Sequence, residues 1–227
     1  MHRQHARGAP EAQARTSASG IVVMPEHSGT HIDALSHQAE NLTLHGGISV
    51  DSGVQTSAGF KVLGIETMAP LIGRGLLLNV ADKQRLAPDH LISVDELQSA
   101  ASAGGVEVGA GDVVLVRTGF GALWSKPAEY LKAAGVSAAG SRWLAELKVK
   151  AVGADNMAFD TVDSFDQELG VSLPGHLLLL VRAGIPIIEN LNLEELAAAG
   201  VHEFAFICLP LKMRGVTGSP VRPLALV

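Results

Sequence analysis

The chain has 227 residues, 47% hydrophobic and 18% charged, with a net charge of −6. That size and balance suit one folded domain with a full core, and exclude both a disordered chain and a small scaffold that needs staples. No basic stripe points to nucleic acid, no apolar run approaches the ~20 residues of a spanning helix, and the single cysteine, Cys208, excludes an intrachain disulfide and a thiolate zinc cluster.

Residues 1–19 mix Arg, His, Gln and Ala without an apolar h-region. They read as an N-terminal tail or partner-contacting arm rather than a secretory signal, and the chain reads as cytoplasmic; residues 20–227 form the domain. Val62–Ile65 and Leu76–Val80 read as short strands. Ser93-Val94-Asp95-Glu96 is a capping-box pattern that opens a helix closed at Gly104-Gly105. Asp112–Arg117 reads as a buried strand, Pro127–Ala134 and Ser137–Lys148 as helices broken at Gly135, and Val149–Ala154 as a strand. Pro174–Ala183 reads as a helix stopped by Gly184, and Ile185–Ile188 as a strand running into Glu189. Asn192 caps a helix closed by Gly200, and Val201–Leu211 is a last strand containing Cys208 as a buried small hydrophobe. Strands interleaved with helices predict an α/β fold: a single domain with a mixed β-sheet flanked by helices. Neither a Gly-x-Gly-x-x-Gly nor a Walker-type loop is present, so no nucleotide cofactor is expected. The absence of a Gly-x-Ser-x-Gly elbow makes a serine hydrolase a poor fit.

The chemistry concentrates in one short segment. His27, His31, Asp33 and His37 are separated by even offsets. Side chains of an extended segment alternate, so even offsets place all four on one face, whereas a helix would turn Asp33 about 200° from His31. Gly29 lets the backbone bend close to an ion. Imidazole and carboxylate donors without sulfur suit Zn²⁺, Mn²⁺ or Fe²⁺, in the layout of a catalytic rather than a structural site. Such an ion lowers the pKa of water from 15.7 to roughly 7 and polarises a carbonyl. A surface or hydrogen-bonding histidine cluster is the alternative reading.

The segment resembles the signature of the cyclase-like metal hydrolases, His-x-Gly-Thr-His-x-Asp-x-Pro-x-His, a family that includes isatin hydrolases and bacterial kynurenine formamidases. His27, Gly29, Thr30, His31, Asp33 and His37 fall in register. Asp112–Gly119, Val152–Asp155, and His176 followed by Glu189 in Glu-Asn-Leu resemble further family segments, so the likeness covers roughly residues 20 to 211. The resemblance implies a swivelling β/β/α-like fold and a homo-oligomer, a dimer or higher. It implies one or two divalent ions, Mn²⁺ or Zn²⁺. His27, His31 and Asp33 would hold the first, and Asp33, His176 and Glu189 would hold or bridge to a second. His37 would be the catalytic acid/base. Leu35 stands where the family has proline, which moves the likeness toward the isatin hydrolase side.

Without the resemblance, Glu189 reads as an exposed strand-end carboxylate and His176 as a helix-start histidine. His45, in a loop, could contact substrate or be a plain loop histidine; His90 and His202 receive no role, and His2 and His5 could bind metal adventitiously. Asp155 and Asp160 read as loop caps that could support a ligand from behind. Phe120 and Trp124 could wall an aromatic pocket or belong to the core. The expected activity is hydrolysis of a C–N bond in a small, isatin-like cyclic amide by a metal-activated water. An aryl formamidase or a lactonase/cyclase is the alternative enzyme. Residues 1–20 lack the Pro-Leu and Trp-Pro-Gly elements usual in the family, which keeps a non-catalytic metal- or ligand-binding protein as the rival of another class.

Overall fold

The computed structural model describes residues 17–82 and 84–227. The arm expected over residues 1–19, with His2 and His5, lies largely outside them; residues 17–25 are exposed. Among the described residues no helix is long and apolar enough to cross a membrane.

One eight-stranded sheet organises the chain. Its strands are β1 (His31–Asp33), β2 (Leu71–Asn79), β3 (Val113–Arg117), β4 (Ala151–Ala154), β5 (Ile187–Glu189), β6 (Glu203–Cys208), β7 (Gly218–Pro220) and β8 (Leu224–Leu226). They lie in the order β7-β1-β5-β4-β3-β2-β6-β8. The centre from β5 to β2 is parallel, and the strands added at both ends are antiparallel. The expected mixed sheet flanked by helices is what forms.

The two sheet faces carry separate cores. Leu76, Leu78, Val114, Val116, Val152, Ala154 and Ile187 pack under the helices α1 (Val94–Ala103) and α3 (Ala138–Glu146) and under Leu179 and Leu180. Leu77, Val113, Leu115, Ala151, Ile188 and Ile32 face the other way, against Phe204, Phe206 and Cys208. The alternation is that of a sheet buried on both sides, which explains the near-continuous apolar runs. Burial pushes the Cys208 thiol up to about 12, as befits a core residue.

Helix α1 starts where its capping box predicts. The Ser93 hydroxyl accepts from the Glu96 amide, and the Glu96 carboxylate accepts from the Ser93 amide at 2.8 Å. Ser93→Ala is expected to cost about 1 kcal/mol in a urea unfolding titration; an unchanged midpoint would show the cap to be idle.

Several local expectations change. The strand expected over Val201–Leu211 is β6 (Glu203–Cys208), and it is not the last, since β7 and β8 follow it and β8 pairs with it. Val62–Ile65 is a bend leading into a 3₁₀ turn at Ile65–Thr67, because its backbone is tied to loops: Ile65 N donates to Val216 O, and Ser36 N to Leu63 O. The helix expected over Pro127–Ala134 is the short α2 (Pro127–Tyr130), since Gly135–Val136 pairs with Leu91–Ile92 instead. Pro174–Ala183 begins as α4 (Pro174–His176) but continues as a wide π-helix over Leu177–Ala183. Residues 27–37 are extended only at β1. Gly29 takes φ +61°, and the bond from His37 N to Ala34 O closes a turn after the strand.

Candidate metal centre

Strand alternation builds the first part of the site. In β1, Ile32 points into one core while His31 and Asp33 point to the opposite face. In the antiparallel neighbour β5, Glu189 lies directly opposite His31, and Ile188 opposite Ile32. Directly paired residues share a face, so the register alone brings the imidazole against the carboxylate. Helix α4, packed at this end of the sheet, adds His176. The bend at Gly29 returns His27, and the turn after β1 returns His37.

All six expected residues meet. His31 Nε2 lies 3.2 Å from Glu189 Oε2 and 3.7 Å from Asp33 Oδ1. His176 Nε2 lies 3.2 Å from Glu189 Oε1 and 3.7 Å from Asp33 Oδ2. His27 Nδ1 approaches Asp33 Oδ1 at 2.8 Å. The His37 ring sits 4.1 Å from that of His27 and 6.1 Å from that of His176. Donor atoms of His31, Asp33 and Glu189 fall within 4.8 Å of one another, and so do those of His27, Asp33 and His37; Asp33 is common to both groups.

The carboxylates are what single the cluster out. Asp33 and Glu189 are buried, yet both Asp33 oxygens and Glu189 Oε1 accept no aligned hydrogen bond, despite nitrogens at contact distance. Buried carboxylate oxygens are ordinarily hydrogen-bonded, and leaving them bare is costly. Nitrogens and oxygens that converge without bonding one another are what a cation between them requires. The donor chemistry, all imidazole and carboxylate, fits a divalent ion.

Behind the cluster, three of the four rings are anchored. His31 Nδ1 donates to Gly29 O at 2.9 Å, and His176 Nδ1 donates to Asp160 at 2.9 Å; both turn Nε2 inward. His27 Nε2 lies 3.0 Å from the Thr217 hydroxyl. The His37 ring makes no hydrogen bond among the described residues. Asp160 also accepts from the Gly175 and His176 amides, so it is the supporting carboxylate that the loop-cap reading left open. Asp155 is instead structural: it accepts from Thr118 N and Oγ1 and from the Gly119 and Gly121 amides.

Electrostatics follow from burial and neighbours. Burial disfavours charge on His176, but Asp160 and Glu189 outweigh it and raise its pKa well above the usual value. His31 is raised in the same way, burial being overcome by Glu189, Gly29 O and Asp33. Burial works against the Asp33 carboxylate, yet His27, His37 and His176 hold its pKa below normal. On His37 burial prevails over Asp33, and its pKa falls.

Other expectations resolve by position. His45 Nδ1 bonds Val181 O at the end of the π-helix, His90 pairs with Glu96, and His202 bonds Leu77 O. Phe120 is core; Trp124 is exposed and stands edge-on to Tyr130 beside a cavity of about 470 Å³ that reaches Thr30 and Asn190. The Tyr130 hydroxyl donates to Asn190 Oδ1 at 2.7 Å, and Asn190 Nδ2 donates to Gly29 O. Sequence reasoning missed Tyr130, Asn190, Glu26 and Thr217. Only Asn190 carried a signal, as the neighbour of Glu189.

The family described as "Putative cyclase" matches residues 6–161. This chain belongs to the cyclase family. The cyclase-family chain is 29% identical over 203 residues to cyclase-like protein 3 of Oryza sativa subsp. japonica, covering 88% of this chain and 62% of that protein. It is 27% identical over 213 residues to an isatin hydrolase of Roseibium aggregatum, covering 91% and 73%. The crystal structure of a novel cyclase superposes with a TM-score of 0.83 at 28% identity, over 97% of this chain and 76% of that one. The chain thus spans less than two thirds of the length of its rice relative.

Proposed function

We propose that this chain is a metal-dependent hydrolase that opens the C–N bond of a small, isatin-like cyclic amide. The observation that carries this reading is the pair of buried carboxylates, Asp33 and Glu189, whose bare oxygens face the nitrogens of His27, His31 and His176. The name of the Roseibium relative supports the substrate class. His27, His31 and Asp33 would hold one divalent ion, Zn²⁺ or Mn²⁺; Asp33, His176 and Glu189 would hold or bridge to a second. Such an ion, when bound, supplies Lewis acidity at a carbonyl and an acidic water.

The protein's own part is proton handling and orientation. Three rings are tethered at their outer nitrogens and can only present the inner one. His37, untethered and half-buried between His27 and His176, is free to take a proton from the attacking water at a ring nitrogen and return it to the leaving amide nitrogen. As one copy of a homo-oligomer, the chain would take small molecules as its only other partners.

Chelator-stripped protein reloaded with Zn²⁺ or Mn²⁺ is expected to open isatin faster than it hydrolyses N-formylkynurenine or simple lactones. His37→Ala should keep the metal and lose about 10²–10⁴-fold in kcat. Metal retained with no turnover of any of the three substrate types by the unsubstituted protein would overturn the enzyme reading and leave a binding protein.

A further inference from the structure

We infer that Thr217, held by Glu26, is a positioning residue that fixes the proton and ring orientation of His27, so that His27 presents Nδ1 to the centre while His31 and His176 present Nε2. The inference rests on the metal-binding reading above.

The hydrogen-bond bookkeeping forces the assignment. Glu26 Oε2 lies 2.7 Å from the Thr217 amide and 2.9 Å from the Thr217 hydroxyl. A carboxylate oxygen only accepts, so the single hydroxyl proton goes to Glu26. Toward His27 Nε2, 3.0 Å away, the same hydroxyl can then only accept. His27 must therefore carry a proton on Nε2, and for the neutral ring this leaves the lone pair on Nδ1, the atom 2.8 Å from Asp33. The opposite arrangement would aim hydroxyl lone pairs at a carboxylate oxygen.

Backbone geometry fixes the ring as well. Thr217 O accepts from Ala34 N, and Gly218 is paired with Asp33 across the β1–β7 ladder. A Cβ on Gly218 would come within 2.6 Å of the His27 ring, so the imidazole lies flat against a residue with no side chain. A segment 190 residues away in sequence thereby sets both the tautomer and the plane of the most exposed of the anchored rings. Metal-binding histidines generally donate their second N–H to a fixed acceptor, and loss of that acceptor costs 10–100-fold in affinity. Here the acceptor is a hydroxyl polarised by a carboxylate.

The test is calorimetric titration of Zn²⁺ into chelator-stripped full-length protein. Thr217→Val, equal in shape, is expected to bind about 10–100-fold more weakly, with a metal-free Tm within about 2 °C of the parent. Thr217→Ser should restore most of the affinity. Thr217→Val binding as tightly as the parent, or Thr217→Ser binding as weakly as the valine variant, overturns the inference alone. Should the valine variant not fold, Glu26→Ala, which frees the hydroxyl to turn toward His27, should weaken binding in the same sense; parental affinity there overturns the inference. A parent that binds no Zn²⁺ overturns the functional reading, and this inference with it.

Discussion

Asp33→Asn is expected to remove Zn²⁺ binding by more than about 100-fold, beyond the loss typical of an outer supporting residue. Asp33 is shared by both groups of donor atoms, is fully buried, and has no aligned hydrogen-bond donor to replace a cation. The amide keeps the shape but loses the charge and turns one acceptor into a donor facing imidazoles. The readout is thermal unfolding with and without Zn²⁺. A ligand at 100 times its Kd stabilises the folded state by about 2.7 kcal/mol, and that gain should vanish in the variant. An equal Zn²⁺-induced shift in both proteins would show that Asp33 is not a ligand.

Gly135→Ala should be the most damaging single-methyl change away from the centre. A Cβ there would lie 2.1 Å from the Asp160 carbonyl carbon and 2.2 Å from the Thr161 amide nitrogen. Backbone cannot swing aside as a side-chain tip can, so the cost should reach or exceed the upper end of overpacking, about 3 kcal/mol. Displacing the 160–161 peptide also moves the carboxylate that anchors His176. Urea unfolding of metal-free protein reads the first effect and Zn²⁺ titration the second. A loss below about 1 kcal/mol would mean the loop yields freely.

Sequence legibility divided along contact range. The shared face of His31 and Asp33 on β1 was readable because alternation is local, and the α1 start because its cap is four residues long. The extended reading of residues 27–37 went too far: even offsets also arise from a bend, a three-residue strand and a turn, provided that Gly29 takes a positive φ. Strand β2 begins five residues before the expected Leu76, because Gly73 and Gly75 hide strand propensity that the β6 pairing overrides. His176 and Glu189 were weak alone, since what joins them is β5 register and helix placement rather than spacing. Thr217 and Glu26 had no signal at all. A threonine and a glutamate far apart in the chain become a pair only when β7 closes on β1.

That closure has a consequence for how the protein is made. Strand β1, near the start of the chain, is flanked on one side by β5 and on the other by β7. During synthesis His27 and His31 emerge well before their carboxylate neighbour Glu189 and before the Thr217 segment, which lies 190 residues after His27. Over that whole interval a nascent chain carries a half-built donor cluster, which is assembled only when β5 and β7 have joined β1.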